Sequence, residues 1–192
     1  MHIFLLTNSS IGMSDNLLGA IFTALVTGTI SIIGFIVTNM SMKNSFRNEL
    51  MKQRDNIVLE KMSSVPYDIL EVMDNLVKSE SEKDSLKALK TFGKIMNKIY
   101  SYGSKDAIKI VSLMQEENYA LEKMEEYNVF RKMASYVLLA TQIKYDITGV
   151  YTNPEFWFKM RLPFYDNNRE EIIAANNQLV KELNLSDELK IG

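Results

Sequence analysis

Few residues in this chain are of a type that does chemistry, and they exclude more than they suggest. Cysteine is absent, and the one histidine is His2. That removes a thiolate nucleophile, a disulfide, Ser–His catalysis, and a zinc site built from thiolates or imidazoles. Phosphate cradles need glycines clustered ahead of a helix, and the eight glycines here are dispersed. Carboxylates working as acid and base would have to converge. Glu116–Glu117, Glu125–Glu126 and Glu170–Glu171 are instead adjacent pairs, whose members diverge on a helix and read as solvated faces. A net charge of −2 leaves no electrostatic footprint for nucleic acid. The sequence therefore predicts a protein that is not an enzyme, with no cofactor, no metal and no nucleic-acid partner.

Binding is the chemistry that remains. One distinctive stretch is YSYGSKDAIKI from Tyr100 to Ile110; the other is QIKYDITG from Gln142 to Gly149, followed by PEFWFKMRL from Pro154 to Leu162. The plainer reading makes both of them helix boundaries, with Gly, Ser and Asn at the ends and Trp157 as a core plug between Phe156 and Phe158. The sharper reading gathers Tyr102, Lys105, Lys144, Asp146, Trp157 and Arg161 at one end of a helical bundle as a polar–aromatic recognition patch. Aromatic and arginine side chains are the usual anchors of interfaces. Lys144, Arg161 and Arg169 would equally serve an acidic ligand or ordinary surface ion pairs.

The element that organises the rest is Leu17–Thr38, LLGAIFTALVTGTISIIGFIVT, which holds no charged residue. At ~1.5 Å per residue such a helix reaches about 33 Å, enough for the hydrocarbon core of a bilayer. Leu, Ile, Phe and Val, at roughly −0.3 to −0.6 kcal/mol each for insertion, outweigh the small and hydroxylated residues between them. This predicts a transmembrane helix over 17–38. Residues 1–16 lack Lys and Arg, whereas Lys43, Arg47, Lys52 and Arg54 follow the span. The positive-inside rule then predicts an extracytoplasmic N-terminal segment and a cytoplasmic C-terminal part. A cleaved signal peptide would need a basic start, a shorter apolar core and small residues at a cleavage point, and none of these is present. Translation from Met13 rather than Met1 is a further expectation, to be settled by intact mass.

Small residues in the span fall in rows. Ala20, Ala24 and Gly28 are spaced by four, with Thr23, Thr27 and Ser31 beside them. Such spacing lets helix backbones approach closely in lipid and offers a homotypic contact; an anchor without any partner also carries such residues. From residue 39 to 62 the chain holds no Gly or Pro, so a juxtamembrane helix continues the span. Phe46, Leu50 and Ile57 share a face at heptad-like spacing, interrupted by Gln53.

Beyond it, the pattern is helical throughout. Pro66 opens a helix with Ile69, Leu70, Val72, Met73, Leu76 and Val77 as its apolar face. After a polar loop, Leu86, Leu89, Phe92, Ile95, Met96, Ile99 and Tyr100 recur at three and four. Gly103 reads as a left-handed C-cap and Ser104 as the next N-cap. Ile108, Val111, Met114, Leu121 and Met124 mark a further helix, and Met133, Val137, Leu138, Ala140 and Ile143 another, ending at Gly149. A short aromatic turn stops at Pro163, Asn167 or Asn168 caps the last helix, and 186–192 is a tail. No segment alternates with period two, so no sheet is expected. The expected fold is all-α: a single transmembrane helix, a juxtamembrane helix over 39–62, and a cytoplasmic antiparallel bundle of about five helices over 63–185.

An anchor, a linker helix, a YGS-type junction and an IKYDITG segment ahead of PEFWFKMRL resemble small membrane-anchored bacterial proteins, often from genomes rich in prophage and mobile elements. The resemblance implies a single-pass protein of the bacterial inner membrane with no assigned catalytic residues. The functional expectation is an anchored interaction or scaffold module whose partners are the bilayer, a cytoplasmic protein, and further copies of itself through the span. The alternative is a membrane-perturbing effector, of phage-defence or toxin-like kind, whose bundle senses a signal and whose spans cluster.

Overall fold

The computed structural model describes residues 10–78, 81–120 and 128–192, and every regular element among them is a helix. Leu121, Met124 and the Glu125–Glu126 pair lie outside the described residues, as do residues 1–9. The chain divides between Arg54 and Asp55 into two compact units.

Helix α1, Ser10–Met62, is a single element of 53 residues. It starts ahead of the apolar run and continues past it, because no proline occurs before Pro66 to break the hydrogen-bond ladder. Its most apolar window has a mean hydropathy of 2.2, and none of that window is buried. Phe22 and Phe35 are 69% and 72% exposed.

In the second unit Ser63 and Ser64 form a turn, and α2, Val65–Lys78, follows. Pro66 sits in the first turn, where a missing N–H costs nothing. Ser81 caps α3, Glu82–Tyr102, accepting from the Asp84 N–H at 3.2 Å while its hydroxyl donates to the Asp84 carboxylate at 2.6 Å. Helix α3 packs on α2. Lys98 reaches Asp68 at 4.0 Å, while Lys78 and Asp84 share a groove at the other end, so the two helices run antiparallel.

Ser104 caps α4, Lys105–Ala120, through the Ala107 N–H at 3.2 Å. Gly103 is a correction to the sequence reading. Its φ of −78° is extended, not left-handed. The glycine is needed for room: a Cβ there would stand 2.6 Å from the Ile99 carbonyl oxygen, which accepts the Gly103 N–H. The left-handed cap is Gly149, at φ 69°, ending α5, Val129–Thr148.

Helix α5 is the centre of the core. It packs on α2, α4 and α7, Arg169–Glu182, and from Ala134 to Ala140 every residue is buried. The apolar stripe expected on one face is therefore a helix enclosed on all sides. On α3 the opposite holds. Phe92, Ile95 and Ile99 are buried, but Leu86, Leu89 and Tyr100, expected on the same face, are exposed.

Asn168 precedes α7, yet its side chain donates backwards to the Phe164 carbonyl at 3.1 Å and caps nothing. Helix α7 ends in a Schellman arrangement. Asn184 takes φ 50°, Leu185 N–H bonds Val180 O at 2.9 Å, and both of those apolar side chains are buried. The last residues, read from sequence as a tail, complete the core. Leu189 and Ile191 are buried, and Asn177 grips Ile191 in both directions, at 2.7 and 2.9 Å. Asn176, fully buried, donates to Leu189 O at 2.9 Å. Two amides at consecutive positions thus satisfy a chain end that has no helix of its own beyond the short turn at Asp187–Leu189.

Candidate functional site

The segment joining α5 to α6, Glu155–Arg161, builds the most distinctive surface of the second unit. Gly149 turns the chain back, and Tyr151 then stacks on Tyr145, their rings 3.7 Å apart and 12° from parallel. Asn153 accepts the Glu155 N–H at 2.8 Å and so starts α6 through its side chain. Lys144 donates to the Thr152 hydroxyl at 2.8 Å, holding the returning loop to the last turn of α5.

Two grooves meet along α6. One, about 170 Å³, is lined by Leu70, Val137, Lys144, Phe156, Trp157 and Met160. The other, about 290 Å³, is lined by Tyr67, Leu70, Glu71, Asp74, Trp157 and Arg161. Leu70 and Trp157 belong to both, so they form the shared wall of one aromatic cleft. Trp157 is partly buried, with its ring edge-on to buried Phe158 at 5.6 Å and 86°. Phe156 and Met160 stay exposed at 58% and 74%. Arg161 pairs with Asp74 across to α2, and Lys78 lies 3.7 Å from the same carboxylate.

Of the expected patch, the fold brings Lys144, Trp157 and Arg161 to this cleft and leaves the rest outside it. Asp146 is exposed on α5 and accepts from Gln142 at 2.8 Å, an intrahelical bond. Tyr102 ends α3, 39% exposed, and Lys105 opens α4. Neither lines the cleft, because they are set by the α3–α4 junction and not by the α5–α6 loop. Ala20, Ala24 and Gly28 are exposed on α1.

Behind the cleft is a charged network that no sequence pattern pointed to. Glu155 is buried, and its Oε1 accepts from the Tyr165 hydroxyl at 2.8 Å and from Arg169 Nε at 3.2 Å. Lys159 reaches its Oε2 at 3.2 Å, one turn along α6. The Tyr165 hydroxyl holds the Glu155 carboxyl below the usual carboxylate range, and Lys159 and Arg169 add to this against the opposing effect of burial. Burial first, and then the hydrogen bond to Glu155 and its charge, push the Tyr165 phenol up to about 12. Arg169 also donates to Gly192 O at 2.8 Å, so the network joins α6 to the chain end. Glu155, Tyr165 and Arg169 lie on different elements, so no periodicity within one element could pair them, and the one hint was a glutamate after Asn–Pro, at a helix start.

The arrangement suits docking. An apolar trough with an ammonium at one side and a guanidinium–carboxylate pair at the other fits an apolar side chain carried on a polar segment. Among the described residues no cluster of three or more His, Asp or Glu stands ready for a metal ion. No protein-family profile, no curated protein and no solved structure matches this chain.

Proposed function

We propose that this protein is an interaction module held at a membrane by α1, with the Trp157 cleft as the surface that takes a protein partner. One observation carries the reading: the most apolar window of α1 has a mean hydropathy of 2.2, and none of it is buried among the described residues. Large apolar residues left in water are costly at ~25 cal/mol per Å², and a bilayer removes that cost along the whole run. The polar groups in the span support it. Thr29 donates to Leu25 O and Ser31 to Thr27 O, each at 2.8 Å, so these hydroxyls need no water. Lys43, Arg47, Lys52 and Arg54 then favour a cytoplasmic second unit.

The cleft supports the interaction half of the reading. Trp157, Phe156 and Met160 present apolar surface beside fixed charges. The test is membrane retention with topology. The full chain is expected to stay in the membrane fraction after alkaline carbonate washing, with a C-terminal reporter on the cytoplasmic side. Release by carbonate overturns the anchor, and a reporter outside overturns the orientation. With the anchor established, a photo-crosslinker at Phe156 should capture a protein that Trp157→Ala no longer captures; capture unaffected by that substitution overturns the cleft.

A further inference from the structure

We propose that a second copy of this chain packs in parallel along α1, with Phe46, Leu50, Gln53 and Ile57 as the seam. These four residues follow at intervals of four, three and four on one helix. That is the spacing of a two-stranded coiled coil, and α1 runs through it without a break. Phe46, Leu50 and Ile57 are 67%, 49% and 50% exposed. Lys43 and Glu60 take the next positions of the row on either side, so the seam is confined to these four residues.

Charge selects the second copy and its direction. Arg47 and Arg54 flank the seam on one side, and Glu49 flanks it on the other. In a parallel pair each flank faces the opposite flank of its partner, five residues on. Glu49 then meets Arg54 of the second copy, and the contact occurs twice by symmetry. In an antiparallel pair the arginine flank would face its own copy and repel. Gln53, which interrupts the apolar row, meets its own counterpart only in the parallel in-register pair, where the two amides bond each other and fix the register. The inference does not depend on the Trp157 cleft, and two copies anchored in one membrane share the same direction.

The chain has no cysteine, so single cysteines report the geometry directly. The full chain in detergent micelles carries Gln53→Cys in the seam or Asn48→Cys on the outer face. Mild oxidation is expected to link Gln53→Cys into a dimer at least about tenfold faster than Asn48→Cys, since only a seam position brings both thiols within disulfide reach. Equal rates, or no linkage at Gln53→Cys, overturn the proposal. Charge reversal checks the direction. Glu49→Arg turns two attractions into repulsions and should weaken the dimer about tenfold. Adding Arg54→Glu should restore it. Weakening without restoration, or no weakening, overturns the parallel arrangement. Linkage in detergent is read without membrane retention or a partner, so it fails separately from the anchor and the cleft.

Discussion

Two stretches of this chain are uncharged and largely apolar, Leu17–Thr38 of α1 and Ala134–Ile143 of α5, and their surroundings are opposite. Leu138 and Leu139 are 0% exposed, enclosed by α2, α4 and α7, whereas Leu17 and Phe22 are 64% and 69% exposed. The difference lies in what flanks and interrupts each run. The buried stretch of α5 is bounded by Lys132 and Lys144 and contains Gln142, whose amide is satisfied by Asp146. Neighbouring helices cover such a run, and its ends reach water. Hydroxyls turn back on the helix's own carbonyls in both, Thr29 and Ser31 in α1 and Ser135 and Thr141 in α5, but the α1 run is about twice as long. Composition makes the two alike; length and the charged residues close on either side separate a core helix from one that needs an apolar solvent.

The largest effect should come from exchanging their fates. Ile30→Lys with Ile33→Asp puts two charges mid-span, at about 2.5–3.5 kcal/mol each for insertion, and should abolish membrane retention. Thermal melting of the second unit should not change. Leu138→Ala should do the reverse, lowering stability by about 2–5 kcal/mol in melting experiments while retention persists. If either variant moves both readouts, the contrast between the two stretches is wrong.

Two glycines sharpen the comparison at a smaller scale. Gly103→Ala places a Cβ 2.6 Å from the Ile99 carbonyl, so the end of α3 must shift. A loss of about 1–3 kcal/mol is expected in denaturant unfolding. Gly28→Ala meets nothing within 4 Å, and should leave the isolated chain unharmed. Gly28→Leu then isolates any contact between spans: reduced self-association without lost helicity places a neighbour against Ala20, Ala24 and Gly28, and unchanged association removes that row as an interface.

The smallest effect is in pH. Because the folded Glu155 carboxyl titrates below its unfolded value, its contribution is present above the ordinary carboxylate pKa of about 4.3 and lost as pH falls through the folded value. Tyr165 has the opposite sign: its contribution is complete below about 10 and lost as pH rises toward about 12. Melting temperature against pH should therefore lose part of its acid slope in Glu155→Gln and part of its alkaline slope in Tyr165→Phe. Slopes unchanged in both variants would show that the network does not link α6 to stability.

Most helix ends were readable locally. Pro66, Ser104 and Gly149 stand where their capping chemistry places them, since a cap acts on backbone groups within a few residues, whereas α3 starts at Ser81, inside the run that reads as a polar loop. Gly103 and Asn168 show the limit: the residue type marked the boundary, but neighbouring atoms decided whether room or dihedral freedom was the reason. The recognition patch was half legible. Lys144, Trp157 and Arg161 converge because one short loop folds α6 back onto α5 and α2, while Tyr102, Lys105 and Asp146 were grouped with them only by character.

What the sequence by itself determined is what short-range physics controls: an all-helical chain, one run long and apolar enough to cross a membrane, the punctuation between helices, and the chemistries removed by the absence of cysteine. What only tertiary structure decided is which side chains share surroundings. Leu86 and Tyr100 lie in water and Ala134–Ala140 lies in the core, Asn176 and Asn177 bind a chain end more than ten residues away, and Glu155 finds Tyr165 and Arg169. Helical periodicity ranks the faces of one helix but holds no information on how many neighbours cover it. Contacts across loops depend on where the backbone turns, and that is settled only when the whole core packs.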